Sequence, residues 1–488
     1  MANDLAQRLA EGLAFHKAGK IAEAETAYRD VLYGDPQQAD ALALLGALRL
    51  QAGDHAEAAR LLTQSLFLNP NQPLTHNNHG VVLQALKKPA EALAAFDQAI
   101  GQKSDFADAH NNRGNALRSL RRHEDALEAY ARAIAIKPSF ARAQYNRGIV
   151  FQELLRHDEA LAAFDRATAL APDFADAWWS KASVKLLTGD FAAGWPLYEW
   201  RWKQSEQLAP RHDFPQQAWK GYADIKGKTI FLYAEQGFGD TIQFARYAKE
   251  LAAMGAKAVL EVQPQLTFLM ASLDGVDQVI AQGEAIPAFD FMCPLASLPL
   301  AFKTEAASIP SNIPYLKAPS EQVAHWGEVL GEKRAPRVGI AWAGNPKHKN
   351  DHNRSMQLWD LLPLAQSAVE LFSLQKDAIT ADKVILAATP AIRDIGSGFT
   401  DFTDTAAALM HMDVVITVDS VLAHLAGALG KRVWLMLPYA PEWRWQLARN
   451  DSPWYPSARL WRQPRIGDWH SVVELIRGNL SRLRDEIL

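Results

Sequence analysis

A period of 34 residues through the first third of the chain constrains its fold more than any other feature. The segments HNNHGVVLQALKKPAEALAAFDQAI from His76, HNNRGNALRSLRRHEDALEAYARAI from His110 and QYNRGIVFQELLRHDEALAAFDRAT from Gln144 align without a gap. Gly12, Gly46, Gly80, Gly114 and Gly148 keep the register, as do Ala24, Ala58, Ala92, Ala126 and Ala160. Tyr28, Leu62, Phe96, Tyr130 and Phe164 repeat the same way, and Pro36, Pro70, Pro138 and Pro172 close four units, with Ser104 at the remaining one. Small residues let two antiparallel helices approach, the bulky residue fills the groove beside them, and proline stops the second helix. Five units cover residues 5–175. A sixth, WWSKASVKLLTGDFAAGWPLYEWRW, keeps the helical spacing with Ala182 in place of the glycine and reads as a cap.

The array resembles the tetratricopeptide repeat family, which implies an all-α solenoid over residues 1–203. Asn78, Asn112 and Asn146 recur two positions before the glycine, on the first helix of each unit. A carboxamide both donates and accepts, so such a ladder suits the backbone of an extended peptide. The other reading is a set of solvated polar positions carried along by repeat duplication. The ladder is similar to that of the O-linked N-acetylglucosamine transferase superhelix, which implies an acceptor polypeptide in the groove.

All fifteen tryptophans lie from Trp178 onward, so a different kind of domain follows the repeats. Residues 204–228 are polar and proline-bearing and read as a connector. From Thr229 hydrophobic strands alternate with helices: TIFLYAEQ, then DTIQFARYAKELAAMG, then AVLEVQ. A second series runs through RVGIAWAG, VELFSLQ, VVITVDS and RVWLMLP to a closing helix. Two doubly wound α/β lobes in tandem are expected, at 229–330 and 331–488, with the ligand in the crevice facing their strand ends.

Composition narrows the function classes. Hydrophobic residues make up 49% and charged residues 22%, enough for packed cores. A net charge of −4 removes a whole-protein basic footprint for nucleic acid. Cys293 is the single cysteine and no Cys/His cluster has metal spacing, so neither an internal disulfide nor a metal is expected. The amphipathic start MANDLAQRLAEGLAFHKAG does not read as a secretory signal, and no apolar run approaches the roughly 18 residues of a membrane span. A cytoplasmic protein without membrane insertion is the expectation.

Three constellations fall where the crevice belongs. Gly237-Phe238-Gly239-Asp240 opens the helix after the first strand; Asp240 either caps that helix or acts as a general base on an acceptor hydroxyl. Asp419-Ser420, with His424 four residues past the serine, opens a helix directly after a strand. Free amides, Ser420 and His424 on one helical face suit a phosphate, whereas a cap at Asp419 and a packed core histidine are the plainer alternative. Asn345, Lys347, Lys349 and Arg354 belong to a polar, basic loop after RVGIAWAG that either clamps a diphosphate or is simply solvated. The later run PYAPEWRWQLARNDSPWYPSARLWRQ reads as an aromatic, basic loop. In it Trp443, Arg444, Trp445, Trp454 and Arg462 either frame a sugar or base or pack a hinge.

Together these motifs resemble glycosyltransferase family 9, the heptosyltransferase-like group with the two-lobed GT-B fold, over residues 228–488. The D-S/T-x-x-x-H pattern is the most specific element. The resemblance implies Asp240 as the base. It places a diphosphate against Gly237, Gly239, Asp419, Ser420, His424 and a cation of the 347–354 loop, with Gln375 where the family has an acidic residue of the nucleotide pocket. It implies an inverting, metal-independent transferase that takes a nucleotide-sugar as co-substrate and needs no further cofactor. With the repeats, the layout implies transfer to a protein hydroxyl, surface proteins such as flagellin being a known acceptor class in bacterial relatives of this layout. Two rival readings stay open: a non-catalytic repeat scaffold with a degenerate transferase-like half, and a transferase acting on lipid or polysaccharide.

Overall fold

The computed structural model describes residues 2–204 and 214–487. Helix pairs follow one another through the repeats: Ala2–Lys17 with Ile21–Gly34, Ala39–Gln51 with His55–Leu68, Pro73–Ala85 with Pro89–Gln102, Ala107–Ser119 with His123–Ile136, and Ala141–Glu153 with His157–Leu170. The repeating glycines sit where the two helices of a pair touch. A Cβ on Gly80, Gly114 or Gly148 would stand 2.5 Å from the ring of Phe96, Tyr130 or Phe164, closer than packed atoms approach. Those rings are fully buried.

The turn inside each pair requires one residue in the left-handed backbone region. Gly19 and Gly53 supply it at φ 74° and 78°, but Lys87, Arg121 and Leu155 occupy the same place at φ 60°, 58° and 58°. Side chains there carry a steric cost that glycine avoids.

The chain divides into two compact units, Met1–Ala177 and Trp178–Leu488. The division falls earlier than residue 203, inside the helix Ala175–Leu187. The physical reason lies in the next helix, Phe191–Tyr198. Its Phe191, Trp195 and Tyr198 are buried in one hydrophobic core with Ile230, Leu232 and Phe244. Of the connector, residues 205–213 lie outside the described residues. Beyond them Trp219 is buried, and its N–H donates to the Met292 carbonyl at 2.8 Å.

Two parallel sheets form the second unit. The first is ordered β3-β2-β1-β4, from β1 (Thr229–Tyr233), β2 (Lys257–Val262), β3 (Gln278–Ala281) and β4 (Phe291–Pro294). The second is ordered β10-β9-β8-β5-β6-β7, from β5 (Arg337–Ala341), β6 (Glu370–Ser373), β7 (Ile392–Asp394), β8 (Val414–Val418), β9 (Val433–Leu437) and β10 (Ala458–Arg462). Strand β10 corrects the reading of the late aromatic run as loop throughout. In Ala-Arg-Leu-Trp-Arg, Ala458, Leu460 and Trp461 are buried while Arg459 is exposed, which suits an edge strand.

Strand order reverses between β1 and β4 in one sheet and between β5 and β8 in the other. Parallel α/β sheets bind ligands outside the carboxyl ends of strands at such switch points. The segments 234–240, 342–354 and 419–420 all leave strands β1, β5 and β8 there.

Candidate functional site

Strand β1 runs into a turn whose N-cap is Gly237, and the helix Phe238–Ala245 begins one residue later. Asp240 is therefore in the first turn of the helix rather than its cap. The Gly237 N–H donates to Asp240 Oδ2 at 3.1 Å. The other carboxylate oxygen, Oδ1, accepts from Arg444 Nη2. Below the turn, Gln263 donates to the Gln236 carbonyl at 2.7 Å and accepts from the Thr241 hydroxyl at 3.0 Å.

Arg444 reaches Asp240 from the 3-10 turn Trp443–Trp445 after β9. Its guanidinium is buried, with Nη1 donating to Glu442 Oε1 at 2.6 Å and Nε donating to Gln243 Oε1. Three acceptors thus occupy one cation, two of them carboxylates. Burial pushes the Glu442 carboxyl up to about 7, against the pull of Arg444. The sequence offered Arg444 to a sugar or base or to a packed hinge, and nothing local signals a partner 204 residues away. Gln243 and Glu442 were missed for the same reason.

The helix Val421–Ala428 starts behind Ser420, whose backbone is extended at φ −147° and whose hydroxyl lies 3.3 Å from that of Thr417. Burial pushes the adjacent Asp419 carboxyl up, and the guanidinium groups of Arg354 and Arg444 pull it the other way. His424 is a packed residue. Its Nδ1 lies 3.0 Å from the Tyr455 hydroxyl, its ring stacks on Trp445 at 5.6 Å, and burial holds it well below the ordinary histidine range. A neutral imidazole adds no charge to a phosphate site.

The two helix starts meet at one point. A Cβ on Gly239 would stand 2.8 Å from His424 Cδ2, so the close approach that this glycine permits is to the histidine of the other lobe. The helices Phe238–Ala245 and Val421–Ala428 pack directly on each other.

In the basic loop, Asn345 accepts from the Lys347 N–H at 3.0 Å, and Lys347 and Lys349 are exposed. Arg354 turns inward instead. Its side chain is 15% exposed, lies against Gly344, and donates to Asp351 at 3.3 Å. Its guanidinium, with His348 of the same loop and Arg444, pulls the Asp419 carboxyl down against its burial. Gln375 closes the end of β5, its Oε1 accepting from the N–H groups of Trp342 at 3.3 Å and Ala343 at 3.1 Å. Trp443, Trp445 and Trp454 are core residues, and Arg462 holds the Trp445 carbonyl at 2.7 Å. Among the described residues no three His, Cys, Asp or Glu side chains group so as to hold a metal ion.

In the repeats, Asn112 Nδ2 donates to Asn77 Oδ1 at 3.0 Å and Asn146 Nδ2 to Asn111 Oδ1 at 2.9 Å. Asn112 and Asn146 therefore strap their own repeats to the one before. Asn78 is half-buried, and the position equivalent to the acceptors Asn111 and Asn77 one repeat earlier is Ala43, which carries no carboxamide.

A repeat solenoid followed by two parallel sheets with their switch points facing one cluster is the architecture of a repeat-bearing GT-B protein. Residues 9–73, 77–139 and 145–199 match the tetratricopeptide repeat, and residues 346–456 match glycosyltransferase family 9 (heptosyltransferase). The chain thus joins tetratricopeptide repeats to a glycosyltransferase family 9 domain. It is 27% identical over 327 residues to Protein FlbA of Caulobacter vibrioides, an alignment covering 60% of this chain and 53% of that protein. The chain spans about half the length of this curated relative. Solved structures similar to it include MamA, at 27% identity and TM-score 0.31, which covers 33% of this chain and 94% of its own. YrrB, described as a TPR protein with an unusual peptide-binding site, matches at 22% identity and TM-score 0.32, covering 36% of this chain and 90% of its own. Among the described residues no helix is long and apolar enough to cross a membrane.

Proposed function

We propose that the protein transfers a sugar from a nucleotide-activated donor to a hydroxyl of a polypeptide, which the repeats bind. A surface protein such as flagellin is the acceptor class that the repeat and transferase layout favours. The observation that carries this reading is the convergence of Asp240, the start of the helix after Ser420, and Arg354 on the switch points of two parallel sheets within one unit. Asp240 takes the proton of the acceptor hydroxyl, whose oxygen bonds to the anomeric carbon as the bond from that carbon to the diphosphate breaks. Single displacement inverts the anomeric centre. The departing charge meets the N–H groups of the Val421–Ala428 helix and the Arg354 guanidinium, without a metal.

A second reading rests on one specific observation: both oxygens of Asp240 are already engaged, by Arg444 and by the Gly237 amide. A scaffold that binds nucleotide without turnover fits that arrangement.

Thermal shift with UDP, GDP, ADP and CMP tests the anion site common to both readings. A native-state ligand at about 100 times its Kd adds about 2.7 kcal/mol, or roughly 2–4 °C in a chain of this size. One nucleotide is expected to produce that rise, and Arg354→Ala to remove it. Absence of a shift with all four, or a shift that persists in Arg354→Ala, contradicts the placement of the site.

A further inference from the structure

The segment Phe191–Lys203 ends the last repeat-like unit, and the repeat match itself reaches residue 199. Its side chains nevertheless belong to the transferase unit. Trp195 and Tyr198 are buried and meet Trp443 edge-on, with ring centroids 5.3 and 5.9 Å apart. Trp443 is the residue before Arg444. The Tyr198 hydroxyl donates to Gln236 Oε1 at 3.2 Å. Arg201, buried beside it, donates through Nη2 to Glu235 Oε1 at 2.9 Å. Glu235 and Gln236 immediately precede the Gly237 cap, so the turn that carries Asp240 is held at two successive side chains.

Such holding is demanding in geometry. A buried ion pair keeps its strength only while both partners stay in register, and a hydroxyl donating to a carboxamide fixes the height of the turn. The same short segment fixes the Trp443–Arg444 strand exit by ring contact. Both ends of the Asp240–Arg444 pair therefore lean on one stretch that the 34-residue period assigns to the repeats.

We propose that Tyr198 and Arg201 are positioning residues of the transferase site, setting the Glu235–Asp240 turn against Arg444. The inference rests on the sugar-transfer reading of Asp240 for its consequence but not for its geometry. The test uses full-length Tyr198→Phe, and Arg201→Met combined with Glu235→Gln so that the fully buried Glu235 is not left charged without its partner. Hydrogen–deuterium exchange of the 234–245 region is measured alongside release of the free nucleotide, UDP, GDP, ADP or CMP, from the corresponding sugar donors. In both variants the Gly237–Thr241 amides should exchange about tenfold faster while β8 and the repeat helices are unchanged. For the donor that the parent turns over, kcat should fall about tenfold in Tyr198→Phe with its KM within about twofold. Unchanged exchange at the turn, or acceleration spread equally over both sheets, overturns the proposal. Local acceleration in a protein whose parent form releases no nucleotide from any donor keeps the positioning role and rejects the transfer reading instead.

Discussion

Burial works against a charge on Glu153, but His123 at 3.5 Å and Arg118, donating at 2.9 and 2.7 Å, outweigh it and hold the carboxyl at about 2. The folded repeats therefore bind fewer protons at this residue than the unfolded chain, whose carboxyl stays near 4.5. The resulting stability is fully present above 4.5 and is lost as pH falls towards 2. Glu153→Gln should cost roughly 2 kcal/mol at pH 7, and the gap from the parent should close through that acid window. Melting curves from pH 7 to pH 2.5 check this, and a gap independent of pH would contradict it. Arg444 illustrates the limit of reading residues in sequence. A glycine-aspartate turn and a strand-serine-helix junction carry local patterns, so Asp240 and Ser420 were legible. The cation that joins Asp240 arrives from far along the chain, and its aromatic, basic surroundings in sequence say nothing of that pairing. His424 was legible as a helical neighbour of Ser420, but its stacking on Trp445 within its own lobe and its contact with Gly239 of the other depend on tertiary packing.

At the scale of elements, the helix pairs followed directly from the glycine, alanine and aromatic period, because each of those positions has a single packing role. The left-handed turn residue was not legible. Only Gly19, Gly53 and Gly189 mark it, while Lys87, Arg121 and Leu155 occupy the same conformation with side chains. Replacing Arg121 or Leu155 by glycine is expected to stabilise the repeats by about 0.5–1 kcal/mol each, since relief of backbone strain exceeds the added chain entropy. Chemical denaturation of the single variants and of the pair measures it; destabilisation in both would refute the assignment of strain. Strands β5, β6, β8 and β9 were readable as apolar runs bounded by turn residues. Strands β4, β7 and β10 were not, being short or interleaved with arginine and aspartate.

At the scale of the whole molecule, the chain reads as repeats joined to a transferase, with the division inside a helix rather than at a linker. Periodicity extends past that division, which is why sequence assigns Phe191–Lys203 to the repeats while packing assigns it to the sheets. The central claim is that the cluster around Asp240 moves a sugar. The most direct measurement is release of the free nucleotide, UDP, GDP, ADP or CMP, by the full-length protein from the corresponding sugar donors, compared with Asp240→Asn. The account expects release from one donor and a fall of about 100-fold or more in Asp240→Asn, with nucleotide binding retained. Equal release by the two proteins, or none from any donor, would contradict it.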